Sequence, residues 1–171
     1  PREYIIHYID SINKEAVEAS KTDVFKTNTL ATQALKLASR IQYRQGIAQA
    51  KYALGIYQAT QENYYKALDM FYLYLDFIEE KGNISVEIEV CLKIALQYLE
   101  IENSELSLVY CNKALLLTSR SENSLDKANT YLGVSICHNE VGDFSSAIDM
   151  ADTAYKYAKL SQDVEIEARI E

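Results

Sequence analysis

The apolar positions between residues 128 and 160 repeat with a helical period. Phe144, Ala147, Ile148, Ala151, Ala154, Tyr155 and Ala158 follow a spacing of three and four. That spacing is the stripe of an amphipathic helix. Tyr131, Val134, Ser135 and His138 form a second stripe just before it, and Val141, Gly142, Asp143 and Phe144 read as the turn between the two. Most of the later stripe is alanine, which lets two helices approach closely. The stretch therefore predicts a tight helical hairpin.

The same pattern returns every forty residues. Ala34, Tyr74, Ala114 and Ala154 share a register, with Ala31, Phe71, Cys111 and Ala151 three residues earlier. Thr27, Ala67, Ser107 and Ala147 come four before those. In the leading half of each unit, Lys14, Leu54, Ile94 and Val134 align, followed by Glu15, Gly55, Ala95 and Ser135. Small and large apolar residues held at a fixed period mark a repeat solenoid.

Four units are expected, over about 8–45, 47–83, 86–121 and 125–161. In the first, helices are predicted over 5–20 and 24–43, with Asp23 as N-cap and Arg44, Gln45 and Gly46 closing the second helix. The second unit has helices over 47–60 and 64–80, stopped by Lys81, Gly82 and Asn83, with Gly82 suited to a left-handed C-cap. The third has helices over 86–100 and 105–118, then a polar loop over 119–124. The fourth is the opening hairpin, ended by Ser161, Gln162 and Asp163. Val164, Glu165, Ile166 and Glu167 then repeat Val86, Glu87, Ile88 and Glu89 letter for letter, which predicts that 164–171 begins a further leading helix; the alternative is a lone helix that caps the last hairpin. With Pro1 in place of an initiating Met, the whole of 1–171 reads as one array excised from a longer protein.

Composition agrees with the pattern and narrows the function. One proline and five glycines leave little to break helices or build β-turns, so the fold class is all-α. A net charge of −8 argues against nucleic acid, whose phosphates need a basic patch. No basic cluster fits an acidic membrane surface, no run is apolar enough to span a bilayer, and no signal peptide is present. Cys91, Cys111 and Cys137 are widely spaced and read as small buried residues. Unpaired thiols fit a reducing compartment, so the expected location is cytoplasmic.

Chemistry-bearing patterns are scarce. His138 takes the register of Tyr98 and reads as a hydrogen-bonded packing residue, and His7 lies in the ragged first helix. No Ser/His/Asp set, phosphate-binding glycine loop or HExxH motif occurs. Glu79 with Glu80 and Glu165 with Glu167 read as solvated helix ends, and Asp10, Glu15 and Glu18 as a wet face. No catalytic residue, metal ligand or cofactor is expected, and no enzyme. Tyrosine is concentrated in one hairpin, at Tyr64, Tyr65, Tyr72 and Tyr74 beside Phe71 and Phe77. Tyr65 and Tyr72 fall outside the core register and are the surface candidates among them.

The chain resembles the tetratricopeptide repeat (TPR) family on these residues. The second unit supplies Leu54, Gly55, Asn63, Tyr64, Ala67 and Phe71. The third supplies Ile94, Ala95, Tyr98, Asn103, Ser107, Cys111 and Ala114; the fourth supplies Tyr131, Gly142, Asp143, Phe144, Ala147, Ala151 and Ala154. The period departs from the usual thirty-four or so, which places the resemblance in a longer-repeat branch with the Rap and MalT regulators, kinesin light chains and LGN-type adaptors. The unit-closing proline is missing, and Glu15 stands where a small residue is expected, so the first unit reads as a divergent cap.

The resemblance implies a right-handed α-α superhelix whose concave face, lined by leading helices, binds a protein or peptide. By the family pattern that face includes Gln49, Tyr52, Ala53 and Ile56 from the second unit. The third unit gives Glu89, Leu92, Lys93 and Leu96; the fourth gives Asn129, Leu132, Gly133, Ile136 and Asn139. Apolar anchors mixed with amides suit an extended peptide or a helix. The alternative for Leu92, Leu96, Leu132 and Ile136 is packing between neighbouring leading helices. The clamp by which chaperone-binding relatives hold a C-terminal carboxylate is missing, because Tyr52, Ile56, Lys93, Asn129 and Gly133 occupy its positions. Two further readings follow: a peptide sensor of the Rap type, and a homo-oligomerisation module.

Overall fold

The structure is a computed structural model that describes residues 2–161. Eight α-helices fill them, and no strand occurs among the described residues. They are α1 (Arg2–Ala19), α2 (Val24–Arg40), α3 (Arg44–Thr60), α4 (Tyr64–Lys81), α5 (Ile84–Glu100), α6 (Ser104–Thr118), α7 (Ser124–Glu140) and α8 (Phe144–Ser161). The all-α expectation holds. The expected further helix over 164–171 lies outside the described residues.

The forty-residue period has a simple origin. Helices such as α3 and α5 are 17 residues long. Most connections are three residues. The length beyond an ordinary TPR unit is therefore in the helices, not in the loops.

A half-period of twenty underlies it. The left-handed residue of the connection is Gln42 (φ 54°), Glu62 (φ 58°), Gly82 (φ 68°), Glu102 (φ 59°) and Gly142 (φ 80°). The residue after each opens the next helix. Asp23, Asn83, Asn103 and Asn123 accept a backbone N–H of the following turn on their side chains. Asp143 accepts from the Ser146 N–H at 3.2 Å. Such caps satisfy helix N–H groups that have no partner within the helix. α6 is shorter, at 15 residues, and the connection over 119–123 is correspondingly longer, so Asn123 still falls in frame.

This frame corrects the first unit. Arg44, Gln45 and Gly46 do not close α2; they open α3. The chain reverses at Gln42 instead, and Gly46 is buried in the first turn of α3. A Cβ on Gly46 would stand 2.6 Å from the Tyr43 ring and 2.8 Å from Ile9 Cγ2. Gly46 is thus required by close packing, not by a turn. The first unit also begins earlier than Tyr8, since α1 runs from Arg2. Likewise α5 begins at Ile84, ahead of Val86.

The chain divides within α4 into two compact units, Pro1–Phe77 and Ile78–Glu171. In the first, Ile9, Ile12, Ala34, Ala38 and Ala50 form one cluster and Ala16, Ala31, Ala53 and Leu54 another. Thr27 is fully buried and donates to the Ala16 carbonyl at 3.0 Å, tying α2 to α1. Phe71 is the largest fully buried side chain and packs against Tyr52 and Gly55. In the second unit, Ala95, Cys111, Val134 and Cys137 share a cluster. Thr118 and Thr130 hydroxyls meet at 2.6 Å between α6 and α7. Asp126 accepts from Ser85 (2.6 Å) and Ser121 (2.7 Å), fastening the start of α7.

The repeat register locates the core closely. Ala34, Tyr74, Ala114 and Ala154 are all buried, as are Thr27, Ala67, Ser107 and Ala147. Phe144 and Ile148 are the departures in the opening hairpin, at 62% and 63% exposed.

Asp10 differs from the wet-face expectation. Its carboxylate accepts from the Tyr43 hydroxyl at 2.9 Å. Burial, aided by that carboxylate, pushes the Tyr43 phenol up to about 12. An unfolded tyrosine ionises near 10. The stability this phenol supplies is therefore complete below pH about 10 and lost as pH rises toward about 12. Urea unfolding across that window is expected to show a steeper alkaline loss for the wild type than for Tyr43→Phe. Parallel curves would contradict the assignment.

Candidate functional site

The thirteen face residues lie on α3, α5 and α7. In the first unit, Ala53 is fully buried and Tyr52 is 6% exposed. Tyr52 is wedged between Tyr74 (centroids 4.6 Å) and Phe71 (5.9 Å). Both residues therefore build the wall rather than the surface. Ile56 and Gln49 are half-buried, and the Gln49 Oε1 atom is enclosed without a hydrogen-bond partner.

In the second unit, Glu89 and Asn139 are exposed and Leu96 is 37% exposed. Lys93 and Asn129 are half-buried. Burial pulls the Lys93 ammonium below its ordinary value, and Glu89 acts in the opposite direction. Gly133 packs on Leu92: a Cβ there would stand 2.8 Å from Leu92 Cδ2. For that pair the packing alternative describes the contact between α5 and α7. Leu132 is also buried, at 7%.

Leu132, Ile136 and Asn139 come together at a cavity of about 500 Å³ between α7 and α8, within the range of ligand sites. Phe144, Ala147 and Ile148 form its other wall. This gives the exposed Phe144 and Ile148 a place: they line an apolar groove. Ser135 spans it at the base, donating to the Ala147 carbonyl at 2.8 Å. Ala147→Leu is expected to destabilise by about 1 kcal/mol, the low end of overpacking, because the groove takes part of the larger side chain. Thermal unfolding checks this; a neutral substitution would mean that α7 and α8 are not closely packed there.

The remaining reactive groups are held quiet. All three cysteines are buried. Burial pushes the Cys91 thiol up to about 12. Cys111 donates to Cys137 across 2.7 Å, and this bond together with burial holds its proton on. The same bond lowers the Cys137 thiol, but none of the three is exposed as a nucleophile would be. His138 sits in the last turn of α7 with Nδ1 3.2 Å from Asp143 Oδ2. Donors from Ser146, and His138 beside it, hold the Asp143 carboxyl below its usual range. The His138 Nδ1 atom is buried without a hydrogen bond, so His138 stands beside the α7–α8 turn without closing it. Lys113 joins Glu79 and Glu87, with burial opposing and the ion pairs outweighing it. Tyr65 is 72% exposed, whereas Tyr72 is half-buried. Among the described residues, no three His, Cys, Asp or Glu side chains gather as a metal site would. None of the described helices is long and apolar enough to cross a membrane.

Asn13 was not legible as a face residue. It lies one repeat before Ala53, and the register would have placed it there. Glu15, standing where a small residue is expected, made the first unit read as a cap.

No family model matches the chain, and no curated protein does. Solved structures do match, 27 chains in all. One is the apo form of RapI, with a TM-score of 0.75 and 16% identity. The likeness covers 94% of this chain and 60% of RapI, so the chain spans well under two thirds of that protein. At that identity the likeness is one of fold. The chain has a TPR-like helical-repeat fold.

Proposed function

We propose that this chain is the recognition part of a regulatory or scaffolding protein and binds a peptide or protein segment through its leading helices. The observation that carries the proposal is the α7–α8 groove. In it, Leu132 and Ile136 meet the exposed Phe144 and Ile148, with the Asn139 amide at the edge. Apolar pockets edged by an amide suit the side chains and backbone of a peptide. The likeness to RapI favours the peptide-sensing form of this reading within the longer-repeat branch, in which a bound peptide shifts the array between conformations. The reading involves no catalytic step, no cofactor and no nucleic acid.

Selection from a displayed random-peptide library, followed by fluorescence polarisation with the selected peptides, tests it. Leu96→Asp and Ile136→Asp place a charge at partly exposed apolar positions. They are expected to weaken binding about tenfold or more. If no selected peptide loses affinity for either variant, these helices do not form the recognition surface.

A further inference from the structure

The first unit contains a second cavity, of about 540 Å³, between α1, α3 and the Tyr74 ring of α4. Its wall carries an unusual polar arrangement. Asn13 is only 2% exposed. Its Nδ2 donates to the Gly46 carbonyl at 3.0 Å, which fixes the orientation of the amide. Its Oδ1 is left buried with no partner. Gln49 lines the same space, and its Oε1 is likewise buried with no partner. Buried polar atoms are almost always satisfied, and unmet acceptors are unfavourable. Two on one cavity wall call for hydrogen-bond donors from outside.

The charge points the same way. Asp10 and Glu18 face the cavity with a single cation, Lys14. Lys14 lies 3.9 Å from Glu18 on an open surface, with side chains 79% and 67% exposed. Asp10 accepts from the Tyr43 hydroxyl and retains further acceptor capacity. The stacked rings of Tyr52 and Tyr74 supply an aromatic wall suited to a cation or its alkyl stem. An alkylammonium group carries three donors and no acceptor. Its three donors match in number the two unmet oxygens and one carboxylate of the lining.

We propose that this cavity is a binding site for a primary alkylammonium group, supplied by a free amine or by a lysine side chain of a peptide. The site stands apart from the α7–α8 groove, and a free amine tests it whether or not the protein takes a peptide.

Calorimetry and thermal unfolding of the chain with 1,5-diaminopentane and with acetyl-Gly-Lys-Gly-amide test the proposal. Acetyl-Gly-norleucine-Gly-amide and sodium chloride at matched ionic strength are the controls. Saturable heat and a raised Tm are expected with at least one cationic probe and with neither control. Binding of the diamine alone assigns a free amine; binding of the lysine tripeptide alone assigns a peptide lysine. Gln49→Met is expected to weaken the cationic probe about tenfold, by removing one charge-assisted hydrogen bond. The same change should leave the unliganded Tm equal or higher, because it deletes an unsatisfied acceptor. Gln49→Glu should strengthen binding. No response to either cationic probe beyond the salt control would overturn the proposal, as would equal binding to Gln49→Met.

Discussion

Phe71→Ala is expected to lower the free energy of unfolding by about 3–5 kcal/mol. Phe71 is 1% exposed and is the bulkiest of the fully buried side chains. Truncation removes its transfer free energy and leaves a cavity bounded by rigid neighbours. One of these is the Tyr52 ring at 5.9 Å. Another is Gly55, where a Cβ would stand 2.7 Å from Phe71 Cε1. Glycine inside a helix costs about 1 kcal/mol relative to alanine. It is kept in the middle of α3 because the Phe71 ring occupies the space a side chain needs. Gly55→Leu is therefore expected to be destabilising alone, by about 1–3 kcal/mol. In the Phe71→Ala background it should be far less harmful, since it fills the new cavity. A double-mutant cycle by urea unfolding measures this coupling. Additive effects would mean that Gly55 and Phe71 are not partners.

The counterpart in the second unit is Ile94. It is fully buried, and its register mates Leu54 and Val134 are buried too, at 8% and 1%. Ile94→Ala is expected to cost about 2–5 kcal/mol and Ile94→Val about 0.5–1.5 kcal/mol. The fourth member of the register is Lys14, whose side chain is 79% exposed. Lys14→Ala should change stability by no more than about 0.5 kcal/mol. The contrast between Ile94 and Lys14 measures how far the first unit has diverged from the repeat. A small loss at Ile94 would show that the forty-residue alignment does not mark core positions, and a large loss at Lys14 would show that the first unit has not diverged from it.

The core was legible because packing imposes it at every repeat. A position that must be small, such as that of Thr27, Ala67, Ser107 and Ala147, stays small in each unit. The turns were only partly legible. Gly82 and Gly142 announce a left-handed residue, but Gln42, Glu62 and Glu102 adopt the same φ without being glycine. Reading Gly46 as a stop followed from that, since glycine can serve close packing as well as reversal. The Asx residues at 23, 63, 83, 103, 123 and 143 carry the missing signal, interrupted only by Tyr43. The surface was the least legible part. Sequence can place Tyr52, Ala53 and Leu132 on the face-forming helices, but accessibility depends on what the neighbouring helix puts above them. Asn13 and Gln49 show the converse. An amide is ordinary in sequence, and its unmet oxygen appears only once the surrounding backbone is in place.

The regular spacing of the caps has a genetic consequence. A duplication or deletion of forty residues, wherever its breakpoints fall, rejoins one helix to another in phase and keeps every cap and reversal in frame. A change of twenty residues would also join cleanly, but it would exchange leading and returning helices and misplace every small residue after the junction. Arrays of this kind can therefore lengthen or shorten by unequal recombination without a new turn having to arise, provided the step is a whole hairpin. The compensating lengths of α6 and the connection at 119–123 fit such a history, because the two changes together preserve the frame.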